Sequence, residues 1–466
     1  MTQKDRYVLL PIETKIRELH AKFLLGLFTA EAGIKVILAQ KSEMVDFLST
    51  LPNGIFIDKG IAHLNRKSYN KNQKRGNMTV AWCEEGLAFR DDEAYLHTRI
   101  SNEVYGMLHR FFAWGRYQAD LISTKASDKG GKIVSVGNPR FDLLRDPFRT
   151  IFDPGVEKIR AQHGKFILIN TSFSRYNHYY GPDHFLKNMR AQGRIQNQEQ
   201  ENFFVEWRDY LGQIFNHFSE MVKYLSTAFP ELTIVVRPHP SENMDEWKKR
   251  TKELDNVKII REGNAIYWIL ASEIAIHNSC TTGIESYVLD HPVIAYCPVT
   301  HDVYDSYLPN AVSHRAANIE ELETRIKKLL SSIEDGDSST LKTEEQEKAM
   351  DRYVSGLRDR TACETIIQEL LPLFAKSMFT SVFSVDDPIK RLQRAFIRFS
   401  IWFKHSIRKI LKGEKAGYTY LAEKFPGLER EELVDLQRSF SDVTHRFQDI
   451  NIEKISGMHT GFLLHK

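Results

Sequence analysis

Cysteine is scarce in this sequence: Cys83, Cys280, Cys297 and Cys363 are the only four in 466 residues, and no two stand in a CxxC or zinc-finger spacing. That argues against a disulfide framework and against a structural metal, and it fits a reducing compartment. No uninterrupted apolar run reaches the ~18 residues a membrane-spanning helix needs, and Met1–Leu10 lacks the apolar stretch of a secretory signal. The expected location is therefore the cytoplasm. A strong charge of either sign is missing too. The formal net charge is +3, which gives no reason to expect a nucleic-acid partner.

What is present is a soluble globular composition, 42% hydrophobic and 27% charged, in a chain long enough for two domains and an appendage. Short β-type runs at residues 7–10, 36–38, 55–57, 78–82 and 133–136 alternate with helical sequence. After Asp153 and Pro154 the rhythm restarts, with runs at 166–169, 232–236, 257–260, 274–276 and 293–296. Strands alternating with helices predict parallel, doubly wound sheets. The expected class is α/β with two Rossmann-like domains, 1–150 and 151–335. Together they give the outline of a GT-B architecture, whose substrates meet in a cleft at the carboxyl ends of both sheets. Residues 336–466 are expected to form a helical C-terminal region. It would begin with a polar, mobile link at 334–347 and a helix over 350–375.

Three motifs carry chemistry. Glu84-Glu85-Gly86 follows a predicted strand, where an acid can take the proton of an attacking hydroxyl; an ordinary helix start would also accept acids there. Arg237-Pro238-His239-Pro240 ends a second-domain strand and offers cationic donors to a leaving phosphate, or alternatively a histidine capping a turn. His277 to Glu285 lies between a strand and a helix. Asn278, Ser279, Thr281 and Thr282 exceed what a cap requires and point to a phosphate on the helix N-terminus, with Glu285 bracing the turn or touching a ribose. Thr171 and Ser172, after the first strand of the second domain, are expected to face the donor. Glu13, Arg17 and Glu85 are acceptor-side candidates; for Glu13 and Arg17, with Glu18, a surface ion pair on the first helix is the equal alternative. No metal-binding motif of the DxD type is recognisable, and no cofactor is expected.

Together these motifs resemble bacterial GT-B sialyltransferases and related CMP-sugar transferases. In that group an acidic motif supplies the base, and HP and Ser/Thr motifs bind CMP. The resemblance implies Glu84 as base, His239 stabilising the leaving CMP phosphate, and Glu262 holding the cytidine ribose. Pro11-Ile12-Glu13-Thr14, Gly137-Asn138-Pro139-Arg140-Phe141-Asp142 and His277 to Glu285 also resemble the bacterial surface carbohydrate biosynthesis proteins. That likeness implies a CMP-linked sialic acid, other nonulosonic acid or Kdo, transferred with inversion to a surface polysaccharide or lipopolysaccharide. A polyol-phosphate transferase of the teichoic-acid type and a non-catalytic membrane scaffold are the alternatives.

Residues 389–412 hold Lys390, Arg391, Arg394, Arg398, Lys404, Arg408, Lys409 and Lys412 and no acid, with aromatic and aliphatic residues at helical spacing. Either an amphipathic helix lies on an anionic membrane surface, or a helix packs on the body with its basic face in solvent.

Overall fold

The computed structural model describes residues 5–126, 131–336, 342–358, 360–377, 379, 384–412 and 425–466, the side chains of 404–412 excepted. The chain divides into two compact units. One joins Met1–Gly86, Asp92–Ile151 and Arg352–Lys466, and the other joins Leu87–Asp91 and Phe152–Asp351.

In the first unit, β1 (Tyr7–Ile12), β2 (Lys35–Gln40), β3 (Ile55–Asp58), β4 (Met78–Ala81), β5 (Arg110–Ala113) and β6 (Ile133–Ser135) form a parallel array. β1 and β3 are buried along their whole length, as apolar strands covered on both faces must be. The second unit contributes β7 (Phe166–Asn170), β8 (Thr233–Arg237), β9 (Val257–Ile259), β10 (Ile274–His277), β11 (Val293–Tyr296) and β12 (His314–Ala316). Its sheet runs β12-β11-β10-β7-β8-β9, all parallel. The 31-residue helix Gln198–Ala228, capped by Asn197, packs Phe215, Phe218 and Val222 into this unit's core. Both units are doubly wound α/β structures.

The C-terminal region is largely helical, as expected, but it is not a separate part and does not end in helix. From Arg352 onward the chain belongs to the first unit and ends in β13 (Asn451–Lys454) and β14 (Phe462–His465), which extend the first sheet to β13-β14-β2-β1-β3-β4-β5-β6. β14 runs antiparallel to β2. The helix Arg430–Thr444 lies on the helix Lys15–Glu31, where Phe23 and Phe440 meet at 6.5 Å between ring centres. The helix predicted over 350–375 is two, Glu344–Tyr353 and Ala362–Lys376. Of the polar link, residues 337–341 lie outside the described residues.

Gly137 to Asp142 explains the break. Gly137 has φ +83°, and a Cβ there would sit 2.4 Å from the Ser355 carbonyl oxygen. Asn138 caps the turn Pro139–Asp142. The buried carboxylate of Asp142 then accepts the amides of Ala362 and Cys363, both at 2.8 Å, closing the start of the next helix. This motif is architectural.

Candidate functional site

Each sheet has one point where its first strand sends connections to opposite sides, and in such sheets ligands sit beyond the strand ends there. In the first unit that point lies between β1 and β3. Glu13 follows β1, Lys59 follows β3, and their side chains pair at 2.9 Å. Beneath them Glu18 and Lys22 form a buried ion pair at 2.8 Å. Glu18 also accepts the amides of Glu13 and Thr14. Burial alone would raise the Glu18 pKa, but Lys22, the Glu13 amide and Lys59 outweigh it and hold the carboxyl well below its ordinary range. Lys22 is pulled down by burial and pushed up further by Glu18 and then Glu84, so its ammonium stays charged.

Glu84 stands just beyond β4 on this charged floor. Its Oε1 accepts the Trp82 indole N–H at 2.7 Å, and its Oε2 is shielded from solvent with no hydrogen-bond partner. One of the two carboxylate oxygens is thereby fixed. Glu85 turns away to Arg17, at 2.8 Å, and Arg17 also reaches the Glu84 carbonyl oxygen. Burial raises the Glu85 pKa, but Arg17, Arg99 and Arg140 bring it below the ordinary value. Gly86 serves close packing: a Cβ would lie 2.3 Å from Gln118 and 2.7 Å from the Trp114 ring. The structure thus gathers Glu13, Arg17, Glu84 and Glu85 at the ends of β1, β3 and β4.

In the second unit the corresponding point lies between β7 and β10. Asn170 ends β7 with its Nδ2 buried and without a hydrogen-bond partner. The Thr171 hydroxyl donates to Glu242, at 2.8 and 3.0 Å, so it is spent on architecture. Ser172 follows it, half-buried. Glu242, which the sequence reading missed, also accepts the amides of Phe173 and His239 and the Trp247 indole. Fully buried, it fastens the loop after β7 to the loop after β8. Burial raises its pKa against those donors. Only its buried position distinguishes it from other glutamates, and no sequence pattern carried that.

His239 is exposed at the end of β8. Its Nδ1 accepts the Ser241 amide at 3.2 Å, so the neutral ring carries its proton on Nε2 and donates from there. Arg237 points elsewhere. Its guanidinium donates to the carbonyls of Glu262 and Gly263, at 2.7 and 3.0 Å, and lies over Trp268. Burial lowers its pKa to about 10. The Glu262 main chain is thus a clamp point for Arg237 and Trp268, with its residue exposed beyond β9.

After β10 the helix Thr281–Val288 begins with no side-chain cap. Ser279 is held at φ +48°, a conformation unfavourable for a residue with a Cβ. Asn310 secures it, accepting the Ser279 amide at 2.8 Å and donating to its Oγ at 3.0 Å, while the Ser306 amide also donates to that Oγ. The hydroxyl is thereby committed within the protein. Asn278, also buried, donates to the Tyr296 carbonyl oxygen. Thr281 is half-buried at the helix start, and the Thr282 Oγ1 is shielded without a hydrogen-bond partner. Glu285 is buried one turn on.

His277 sets the floor of this turn. Its Nε2 meets the Ser313 Oγ at 2.8 Å, and that hydroxyl donates onward to the Pro309 carbonyl oxygen, so Nε2 bears the hydrogen. Gly283 is required above it: a Cβ would approach the ring to 2.2 Å. Burial brings the His277 pKa down to about 3. The unfolded histidine takes up a proton near pH 6.5, so stability supplied by the neutral ring is intact above that pH and lost as pH falls toward 3. Between pH 7 and 5 the loss is about 2 kcal/mol. Denaturant unfolding of the wild type and His277→Gln checks this. The penalty of the substitution should shrink by about 2 kcal/mol at pH 5, and a penalty independent of pH would contradict the buried neutral ring.

Arg175, in the loop after β7, stacks over Trp207 at 4.3 Å. Burial and the neighbouring Arg90 and Arg194 lower its pKa to about 10, which leaves it charged at neutral pH. Arg90 lies over Phe203 at 4.6 Å. Among the described residues no group of three or more His, Cys, Asp or Glu is placed to hold a metal ion, and no helix is long and apolar enough to cross a membrane.

No protein-family model and no curated protein sequence matches the chain. Among solved structures, the wall teichoic acid polymerase TagF is similar, with a TM-score of 0.52 and 10% identity over 80% of this chain and 90% of that one. A putative UDP-N-acetylglucosamine 2-epimerase from Listeria monocytogenes gives 0.46 and 13% over 82% of this chain and 100% of that one. The UDP-GlcNAc 2-epimerase from Neisseria meningitidis, bound to UDP-GlcNAc, gives 0.45 and 13% over 79% and 100%. The likeness to the polymerase concerns the fold: this chain has the GT-B class of fold.

Proposed function

We propose that this chain transfers an acidic ulosonic sugar, of the sialic acid, other nonulosonic acid or Kdo type, from a CMP-activated donor to a hydroxyl of a surface glycan or glycolipid. The acceptor oxygen attacks the anomeric carbon and its proton passes to Glu84. The bond from that carbon to the phosphate oxygen breaks, and the electron pair leaves with CMP. One displacement inverts the centre. The observation that carries the reading is the Glu84 carboxylate, with one oxygen held by Trp82 and the other buried and unbonded. In this reading that oxygen takes the proton of the attacking hydroxyl.

The donor half rests on His239, whose Nε2–H suits a leaving phosphate, and on the uncapped start of the helix Thr281–Val288, where amides and helix dipole favour an anion. Arg175 adds positive charge in the loop after β7, which favours an acidic sugar over a neutral one, while Arg90 beside it is paired with Asp91. This reading gives three residues other roles than the sequence suggested. Arg237, Ser279 and Thr171 hold the loops, while His239, Asn170 and the amides of Thr281 and Thr282 contact the donor. These donors meet the phosphate charge, so turnover should survive EDTA; complete loss restored by magnesium or manganese would overturn a metal-free reaction.

The second reading is transfer of a polyol phosphate. Its support is the fold shared with a wall teichoic acid polymerase. Incubating the purified protein with a glycan acceptor and either a CMP-activated acidic sugar or a CDP-activated polyol separates the two. Free CMP is released either way, but sugar transfer leaves no phosphorus in the product, and a product phosphodiester would reject it. His239→Ala should lower turnover about a hundredfold with the melting temperature unchanged; full activity in that variant would remove His239 from the mechanism.

A further inference from the structure

We infer that the outward face of the helix Pro388–Lys412 docks the protein on an anionic lipid bilayer. This rests on features of the first unit that the transfer chemistry does not use. Ile389, Leu392, Phe396, Phe399 and Phe403 recur at spacings of three and four, which places them in one stripe along the helix. They and Trp402 are between 52% and 73% exposed. A helix packed conventionally would turn this stripe inward.

Here the inward face is a different one. Ile397 and Ile401 pack partly buried against the core beneath β1 and β2. Between the helix and that core lies Arg394, fully buried. Its guanidinium donates to the carbonyls of Ser456, Thr50 and Val385, at 2.7, 3.2 and 2.7 Å. Three hydrogen bonds to three separate segments fix the rotation of the helix. Rolling it to hide the aromatic stripe would swing Arg394 out and leave the Ser456, Thr50 and Val385 carbonyls without their donor. The apolar face is therefore held in solvent.

Charge selects the occupant. Arg391 and Arg398 are exposed beside the stripe, and the helix has further cations at Lys404, Arg408, Lys409 and Lys412 with no acid from Ile389 to Lys412. An apolar stripe flanked by cations, in a run that holds no acid, suits acyl chains beneath anionic headgroups. A protein partner would have to bring both a greasy groove and a run of acids. The sequence allowed a helix with only its basic face in solvent, and the structure departs from that by exposing the apolar stripe as well.

Flotation of the full-length protein with phosphatidylcholine vesicles, with and without phosphatidylglycerol, tests the inference. Binding should require phosphatidylglycerol and weaken at high salt. Phe396→Ser, Phe399→Ser and Phe403→Ser together should weaken partitioning at least about a hundredfold, with an unchanged melting temperature. Arg391→Glu with Arg398→Glu should weaken it about tenfold or more on the anionic vesicles alone. Absence of wild-type binding to phosphatidylglycerol vesicles would overturn the proposal, as would equal binding by the triple serine variant. So would a concentration-dependent dimer, abolished by the serines, in a protein that ignores vesicles: that face would then belong to a second copy.

Discussion

Glu84→Gln is expected to lower turnover about a thousandfold while leaving donor binding and melting temperature as they are. The amide keeps the shape of the carboxylate, and its oxygen still accepts the Trp82 indole hydrogen. It lacks a basic oxygen at the position where Oε2 waits. The loss should therefore fall on kcat, because the proton moves in the transition state and not on binding. Rapid-quench turnover at saturating donor, with calorimetric titration of the donor, separates the two. A variant with weakened donor binding and normal kcat would place Glu84 in the donor site and remove it as base. Glu85→Gln is the natural comparison. Its carboxylate is occupied by Arg17, and its removal should change the acceptor KM more than kcat.

Lys22→Met should cost 3–5 kcal/mol of stability at pH 7, the range typical of breaking a buried ion pair. The methionine fills the volume but leaves Glu18 buried without its principal cation. Lys59, at 3.9 Å, remains too distant to replace it. In the wild type the lowered Glu18 pKa means that its contribution is present above the ordinary carboxylate range and is lost as pH falls. In the variant, burial dominates and the pKa rises instead. The penalty should accordingly diminish as pH is lowered and the carboxyl takes up a proton. Restoring neutrality with Glu18→Gln in the same chain should recover part of the loss. Denaturant unfolding at pH 7 and 5 reads all of this, and a penalty that grows toward pH 5 would exclude the mechanism.

Much of the framework was legible because buried parallel strands are written as continuous apolar runs. Phe166 to Ile169 and Ile274 to Ile276 could hardly be anything else between polar turns. β5 was missed, since Arg110-Phe-Phe-Ala is too short to separate from the helical sequence around it. β13 and β14 were missed for a different reason: their partner is β2, more than 400 residues earlier in the chain, and nothing local signals such a pairing. The places of Glu84 just after β4 and His239 just after β8 were readable from residue type and position. Which polar groups are already spent was not. Ser279 looks like a phosphate-binding hydroxyl until Asn310 is seen to hold it. Arg237 looks like a free cation until its guanidinium is seen to donate to the Glu262 and Gly263 carbonyls. Glu242, joining two loops, is invisible to any spacing rule because its four partners are scattered over the sequence.

The pairing of β14 with β2 also imposes an order on biosynthesis. Residues 152–351, nearly all of the second unit, are contiguous and can collapse as soon as they leave the ribosome. The first unit cannot finish then: one edge of its sheet stays open, with β2 offering unpaired amides and carbonyls, until the final strand is made. A half-made sheet with an exposed edge is the species most prone to pair with the wrong neighbour. Translation thus completes the unit that holds Glu84 after the other unit, although it begins that unit earlier.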